Sequence, residues 1–287
     1  MFRLRMIGWA GSERGAGPVI PIDTDFQSYP KSLASAAVPC ERPVIMSYPI
    51  HRFQAMCRLT PAEERHLTTL GDAEVVRRRG ETFQREGDAP GGFHLHVRGW
   101  ISSSILLRSG HRLIQKIHLP GDILGTPSMV LPQAADTLTA ITEAVTAFVP
   151  YERFGQLFTQ APRLAALFTI AVQMERLALM DVLAVTGNAS AREQLARLLV
   201  DLHARLSPIG MVQDDSFHLP LTQEVLGDLL GLTAVHVNRT IRGMEADGII
   251  SREGHRVRLL NLPALQEISP LPPRCPQFEP AWLPAPL

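Results

Sequence analysis

Between Gly71 and Gly125, nine glycines break the chain into apolar runs too short for helices; from residue 163 to 186 a single long apolar run follows at helical period. That change of period constrains the fold more than any other feature. Phe93, Leu95 and Val97 alternate with His94, His96 and Arg98, the period of two that marks a strand. Stretches 101–107 and 113–119 read as further strands, and 138–149 adds one or two more. Ser109-Gly110-His111 and Pro120-Gly121-Asp122 supply turns between them. Many short strands at close spacing predict a small antiparallel roll or barrel. Ahead of them, Thr60 followed by Pro61 predicts a short helix over 60–70, because proline suits the first helical position.

The run 163–186 carries only Arg163, Glu175, Arg176 and Asp181 as charges. Leu164, Leu167, Phe168, Ile170, Ala171, Met174, Leu177, Met180 and Leu183 cover more than one helical face. A helix apolar on two faces needs two partners. The roll supplies one. For the other, the pattern predicts the same helix of a second subunit, packed in a coiled-coil-like seam, with burial inside one subunit as the alternative. Gly187-Asn188 breaks the run. A new amphipathic helix over 190–206 carries Leu195, Leu198, Leu199 and Leu202 on one side, and Ser207-Pro208 ends it.

At 287 residues the chain suits two domains plus tails. Apolar residues make up 45% and charged residues 20%, enough for a sizeable core. Lys plus Arg and Asp plus Glu both number 28, so no global charge advertises nucleic acid or an anionic membrane. Cys40, Cys57 and Cys275 are far apart and form no disulfide framework, which predicts a reduced, cytoplasmic setting. No apolar run reaches the ~18–20 residues of a spanning helix, and the opening residues lack the apolar length of a secretory signal. Residues 1–49 are rich in Gly, Pro and Ser and read as a disordered tail, with Met46 and Met56 as alternative translation starts. Residues 263–287 contain eight prolines and read as a second, extended or disordered tail.

Residues 221–262 carry the functional signal. Thr222 is an N-cap for a helix whose apolar stripe is Val225, Leu226, Leu229 and Leu230. Gly231-Leu232 makes a tight turn, and Thr233 caps a second helix with Val237, Ile241 and Met244 inward. Two short helices joined by such a turn form the helix-turn-helix pattern, and Gly227 leaves room for a close crossing. Residues 249–252 and 256–259, around the turn Glu253-Gly254-His255, read as a hairpin wing. The outward face of the second helix holds Ala234, Val235, Asn238, Arg239 and Arg242. Arginine can donate two hydrogen bonds to guanine, asparagine can pair with adenine, and Val235 suits a thymine methyl. Thr222, Thr233 and Thr240 offer hydroxyls to phosphates and Arg242 offers charge; His236 fits a local role as well as a DNA contact. Against this stands the charge of residues 214–262, five Arg against seven Asp and Glu, and the plainer alternative of two packed helices with no DNA role.

A glycine-punctuated roll, a long apolar helix and a winged helix-turn-helix together resemble the Crp/Fnr family of bacterial transcription regulators. The resemblance covers about residues 50–262 and rests on His118-Leu-Pro-Gly-Asp-Ile-Leu-Gly125 and on residues 221–240, with their Thr-x-x-x-x-Gly-x-x-x-Gly spacing followed by a helix whose reading face ends in Arg239. It implies an α+β chain: a cyclic-nucleotide-binding-like β-roll at 50–162, a dimerisation helix at 163–187 and a winged helix-turn-helix at 188–262. It implies a homodimer joined through 163–187 that reads a near-palindromic site on double-stranded DNA, with Val235, Asn238 and Arg239 at the base-reading positions and RNA polymerase as an expected partner. No membrane partner and no enzymatic activity are implied.

The effector sites depart from the family. Cyclic-nucleotide binders follow the roll's last-turn Gly with Glu and later carry Arg-Ser or Arg-Thr for the phosphate. Here Thr126 follows Gly125, and the later pair is Asp136-Thr137, whose carboxylate would repel a phosphate. No response to cyclic AMP is therefore expected. Cys40 and Cys57 cannot supply the four thiolates of an iron–sulfur cluster, and no cofactor is expected. Cys57 reads as inert rather than as a redox switch. The family's operators do not transfer, because the face Ala234 to Arg239 lacks the acidic residue many relatives place before the arginine. The effector, the operator and the sign of regulation are not legible. Two further alternatives stay open: a cupin-like metalloenzyme using His94 and His96, although Gly99, Trp100 and Ile101 stand where its glutamate should fall, and a ligand-sensing module that regulates a protein partner. The simpler account of His94 and His96 is a solvent-facing pair opposite Phe93, Leu95 and Val97.

Overall fold

The computed structural model describes residues 50–286 apart from Pro273 and Cys275. The expected disordered tail at 1–49 lies outside the described residues. Two short helices come first, α1 (Ile50–Gln54) and α2 (Pro61–Leu70). Thr60 accepts from the Glu63 amide at 3.2 Å, and Glu63 returns a bond to the Thr60 amide at 2.8 Å. This capping box fixes the start of α2.

Eight strands then form two four-stranded antiparallel sheets. One has the order β1 (Val75–Arg77), β8 (Ala144–Pro150), β3 (Gly92–Arg98), β6 (Ile123–Leu124). The other has the order β2 (Thr82–Gln84), β7 (Thr137–Ala140), β4 (Ile101–Leu106), β5 (Arg112–His118). Ile101, Leu138 and Ala140 of the second sheet meet Leu124 and Ala144 of the first, which closes the roll. Phe93, Leu95 and Val149 on the outer face of the first sheet pack on helices: α1, α2, α3 (Tyr151–Gln160) and the first half of α4 (Pro162–Val185).

The expectation that His94 and His96 face solvent is corrected here. Both are buried, because β3 is covered on both sides: Phe93 and Leu95 face the helices, and the two histidines point into the roll. His94 packs edge-on against Phe83 and beside Phe148, each at 5.1 Å between ring centres. His96 bonds the Arg98 carbonyl through Nε2 at 3.0 Å. Burial holds both imidazoles down at about 4, so they are neutral at pH 7.

Helix α4 leads through residues 186–190 to α5 (Ala191–Leu206), which starts with a second capping box, Ser190 with Glu193. The head that follows contains β9 (Ser216–His218), α6 (Gln223–Leu230), α7 (Ala234–Ala246), β10 (Ile250–Glu253) and β11 (Arg256–Leu259). Its three strands pair antiparallel in the order β10-β11-β9. A last helix, α8 (Leu262–Ile268), buries Leu265 and packs along α5. This corrects the reading of 263–287 as wholly extended. Pro263 lies in the first turn of α8, where its missing N–H costs nothing, and Asn261 caps the Ala264 amide at 3.0 Å.

Roll and head share one apolar cluster, with Trp100, Ile114, Ile117 and Leu119 on one side and α5, α6 and α7 on the other. Two polar contacts reinforce the joint. Arg112 of β5 grips the Asp228 carboxylate of α6 at 2.9 and 2.6 Å. Buried Asp122, in the turn before β6, sits among Arg52 of α1, Lys116 of β5 (3.5 Å) and Arg205 of α5 (2.6 Å). Lys116 also reaches Glu175 of α4 at 3.1 Å. Burial by itself would raise the Asp122 pKa; the charges of Arg205, Lys116 and Arg52 outweigh it and hold the carboxyl well below the usual range.

The second half of α4 is different. Val172, Arg176, Leu179 and Leu183 are exposed and follow one another at steps of four, three and four, an a/d stripe, with exposed Met180 beside it. Leu183 is 75% exposed.

Candidate nucleic-acid interface

The head builds its projecting helix from caps and one close crossing. Thr222 accepts from the Val225 amide at 3.3 Å and starts α6; Thr233 accepts from the His236 amide at 3.2 Å and starts α7. Between them Gly231 adopts φ 67°, the left-handed cap that ends α6. A Cβ on Gly227 would stand 2.6 Å from the Leu232 carbonyl, so only glycine lets the turn fold back this tightly. Leu226, Val237, Ile241 and Met244 are buried in the shared core, which fixes the roll of α7 about its axis.

That roll angle presents Val235, Arg239 and Arg242 to solvent, with Asn238 half-buried beside them. Val235 is 80% exposed. Among the described residues neither Arg239 nor Arg242 makes a hydrogen bond or ion pair. The three threonines differ. Thr222 and Thr233 use an oxygen lone pair for capping and keep an O–H to donate. Thr240 donates its hydroxyl to the His236 carbonyl at 2.9 Å, so it has no proton to offer a phosphate in this geometry. His236 is held here as a backbone partner on both sides, through its amide and its carbonyl.

Part of the adverse charge of the head is paired. Asp228 is held by Arg112, Asp247 by Arg192 at 2.5 Å, and Asp215 bonds His203 at 2.9 Å. Two of these partners lie in α5 and one in the roll, none within 214–262. This leaves four acidic side chains without such partners against five arginines. Sequence reasoning missed these contacts because they join positions 12 to 116 residues apart. It also missed β9, three residues long, which pairs with β11; there Arg256 Nε donates to Ser216 Oγ at 2.9 Å and braces the wing.

The roll's effector positions can be inspected too. Asp136 is buried and accepts from Gln84 Nε2 at 3.1 Å, and no cation touches it among the described residues. Burial raises its pKa to about 6. The Gln84 amide also fills the space beside Gly125, 3.2 Å from where a Cβ there would stand. Among the described residues no group of three His, Cys, Asp or Glu side chains is placed to hold a metal. His94 and His96 share a face, as a metal site would need, yet no third ligand joins them.

Two family models match the chain. Residues 74–161 match the cyclic nucleotide-binding domain, and residues 193–268 match the Crp-like helix-turn-helix domain. The chain is 26% identical to the transcriptional activator protein FnrA of Stutzerimonas stutzeri over 193 residues, covering 66% of this chain and 79% of that protein. It is 28% identical over 199 residues to the transcriptional activator protein anr of Pseudomonas aeruginosa, with the same coverage. In fold it is similar to FixK2 from Bradyrhizobium japonicum, with a TM-score of 0.63 and 24% identity over 69% of this chain and 98% of that one.

Proposed function

Because the chain belongs to the Crp/Fnr family of DNA-binding transcriptional regulators, we propose that it works as a homodimer whose two α7 helices read a near-palindromic operator in successive major grooves. The observation that carries this reading is the outward face of α7. Two arginines that pair with nothing among the described residues and an exposed valine project there from a helix whose opposite face is locked in the core. Val235, Asn238 and Arg239 are the base readers. Thr222, Thr233 and Arg242 hold phosphates; Thr240 takes that role only if its hydroxyl turns away from His236.

The dimer seam is the exposed a/d stripe of α4, Val172 to Leu183. Val172, Leu179 and Leu183 at this spacing can interdigitate with their own copies across a twofold axis, with Arg176 as the one charged position in the stripe. A twofold dimer of DNA readers in turn requires an inverted repeat, with half-sites about 34–36 Å apart centre to centre. RNA polymerase is the expected protein partner, and the cytoplasm the expected place of action.

Cyclic AMP is not the signal in this reading. The carboxylate of Asp136 stands where a phosphate-binding arginine would be needed, and Gln84 rather than a cation faces it. Nor is an oxygen-labile cluster: three cysteines in the whole chain fall short of four thiolates. Titrating cyclic AMP into the protein in a calorimeter should give no heat, and micromolar binding would refute the claim.

Selection from a random pool of duplex DNA tests the main proposal. The expected product is an inverted repeat bound by two chains. A pool that never enriches, or an asymmetric site bound by one chain, would sink it.

A further inference from the structure

The described residues beyond α8 run back across the molecule. Arg274 makes a two-pronged pair with Asp181 of α4, Nε to Oδ2 at 2.9 Å and Nη2 to Oδ1 at 2.7 Å. The Glu279 amide donates to the Met56 carbonyl at 2.8 Å, and its carboxylate accepts from the Arg58 amide at 3.1 Å. Pro280 is buried, and Leu283 packs into the helical layer of the roll, its amide closing a turn onto the Pro280 carbonyl at 2.9 Å. Glu279 sits at φ 47°, a backbone state that a non-glycine residue keeps only where its surroundings over-determine it.

These anchors attach the end of the head to α4 and to the α1–α2 connection. They add to the core the head shares with the roll and to the Arg112–Asp228 and Asp122–Arg205 pairs, while the chain itself passes from α4 to the head through residues 186–190. We propose that Arg274 and residues 276–283 act as a strap: a further attachment, beside the shared core, that holds the head in one orientation on α4 and the roll, and so preorganises α7 for operator binding. The orientation it holds is one in which Val235, Arg239 and Arg242 stay open to solvent. Prolines 270, 272, 276 and 280 stiffen the segment before it docks, so less chain entropy is lost when it does. The inference rests on the dimeric DNA-reading function proposed above. When two heads must both be oriented, the apparent affinity falls with the product of their competent fractions, so a modest loosening of each is multiplied.

The test uses the full chain, a chain ending at Ser269, which keeps α8 and Leu265, and Asp181→Ala in the full chain. Amide exchange at residues 186–190 reads the strap without any DNA. Both variants should exchange there faster than the full chain, while α7 and the roll core keep their protection. On the selected operator both should bind about tenfold more weakly, with affinity for non-specific duplex unchanged. Unchanged exchange at 186–190 overturns the strap. Faster exchange combined with equal or tighter operator binding overturns preorganisation and makes the tail an inhibitory contact. If the full chain binds no operator, the functional reading fails by itself, and exchange still decides whether the strap exists.

Discussion

Arg239 and Arg242 sit one helical turn apart on α7, both exposed, yet they should behave differently. Arg239→Ala should cost about 1–3 kcal/mol and relax sequence preference at one base pair per half-site. Arg242→Ala should weaken all sequences alike and flatten the salt dependence. Binding assays on a panel of operator variants at several salt concentrations check both; a uniform loss for Arg239→Ala would make it a phosphate contact. A second residue-scale expectation concerns Asp136. Its pKa in the fold, about 6, lies above the ordinary carboxylate value, so folding favours its proton. The penalty is absent at pH below the unfolded value near 4, grows as pH rises, and is complete above about 6. Asp136→Asn should therefore stabilise the protein by roughly 2–3 kcal/mol at pH 7.5 and do little near pH 4. Urea melts at the two pH values measure this, and equal effects at both would show that the charge is not what matters. Residues of this kind were only half legible. That Val235 and Arg239 share a face follows from period 3.6, and the structure keeps it. That the Thr240 hydroxyl bonds backward, or that His94 and His96 point inward, depends on what covers each face, which spacing does not encode.

Among elements, α4 carries the clearest consequence. Leu179→Asp together with Leu183→Asp should leave the fold intact, since both side chains are exposed in the single chain, while placing like charges across the proposed seam. Sedimentation should then show monomers, with operator affinity falling at least about a hundredfold as bivalency is lost. A double variant that still sediments as a dimer would move the seam elsewhere. The helices were readable: α4 from the length of its apolar run, and α5, α6 and α7 from an apolar stripe behind Ser190, Thr222 and Thr233. The elements that escaped were short or ambiguous. β1, β2 and β9 have three residues each, too few for a period. α3 starts at Tyr151 with no side-chain cap to announce it. The tail's prolines hide α8, because Pro263, which opens the helix, is indistinguishable by composition from the helix-breaking prolines that follow it.

At the scale of the molecule, the joint between roll and head was invisible in the sequence, since Asp122 and Arg205 are 83 residues apart. Asp122→Ala leaves Arg52, Lys116 and Arg205 facing one another, with Glu175 beside the first two and Asp201 beside Arg205 as the carboxylates bonded to them among the described residues. A loss of about 3–5 kcal/mol is expected, the usual result of stranding buried charge. Because the Asp122 pKa is depressed in the fold, its contribution is present above the unfolded value near 4 and fades as pH drops below it. Denaturation of wild type and Asp122→Ala at pH 7 and pH 3 checks size and sign; a difference of under ~1 kcal/mol at pH 7 would mean that solvent screens the cluster.

Cys57 lies between Met56 and Arg58, the two residues whose backbone holds Glu279, and its thiol is buried. The thiol lies in the helical layer of the roll into which Leu283 of the tail also packs, and burial pushes its pKa up. Alkylation of Cys57 in the full chain and in the chain ending at Ser269 reads whether the tail guards that layer: a quicker reaction without the tail turns an otherwise inert side chain into a stopwatch for how often the two ends of the polypeptide part company.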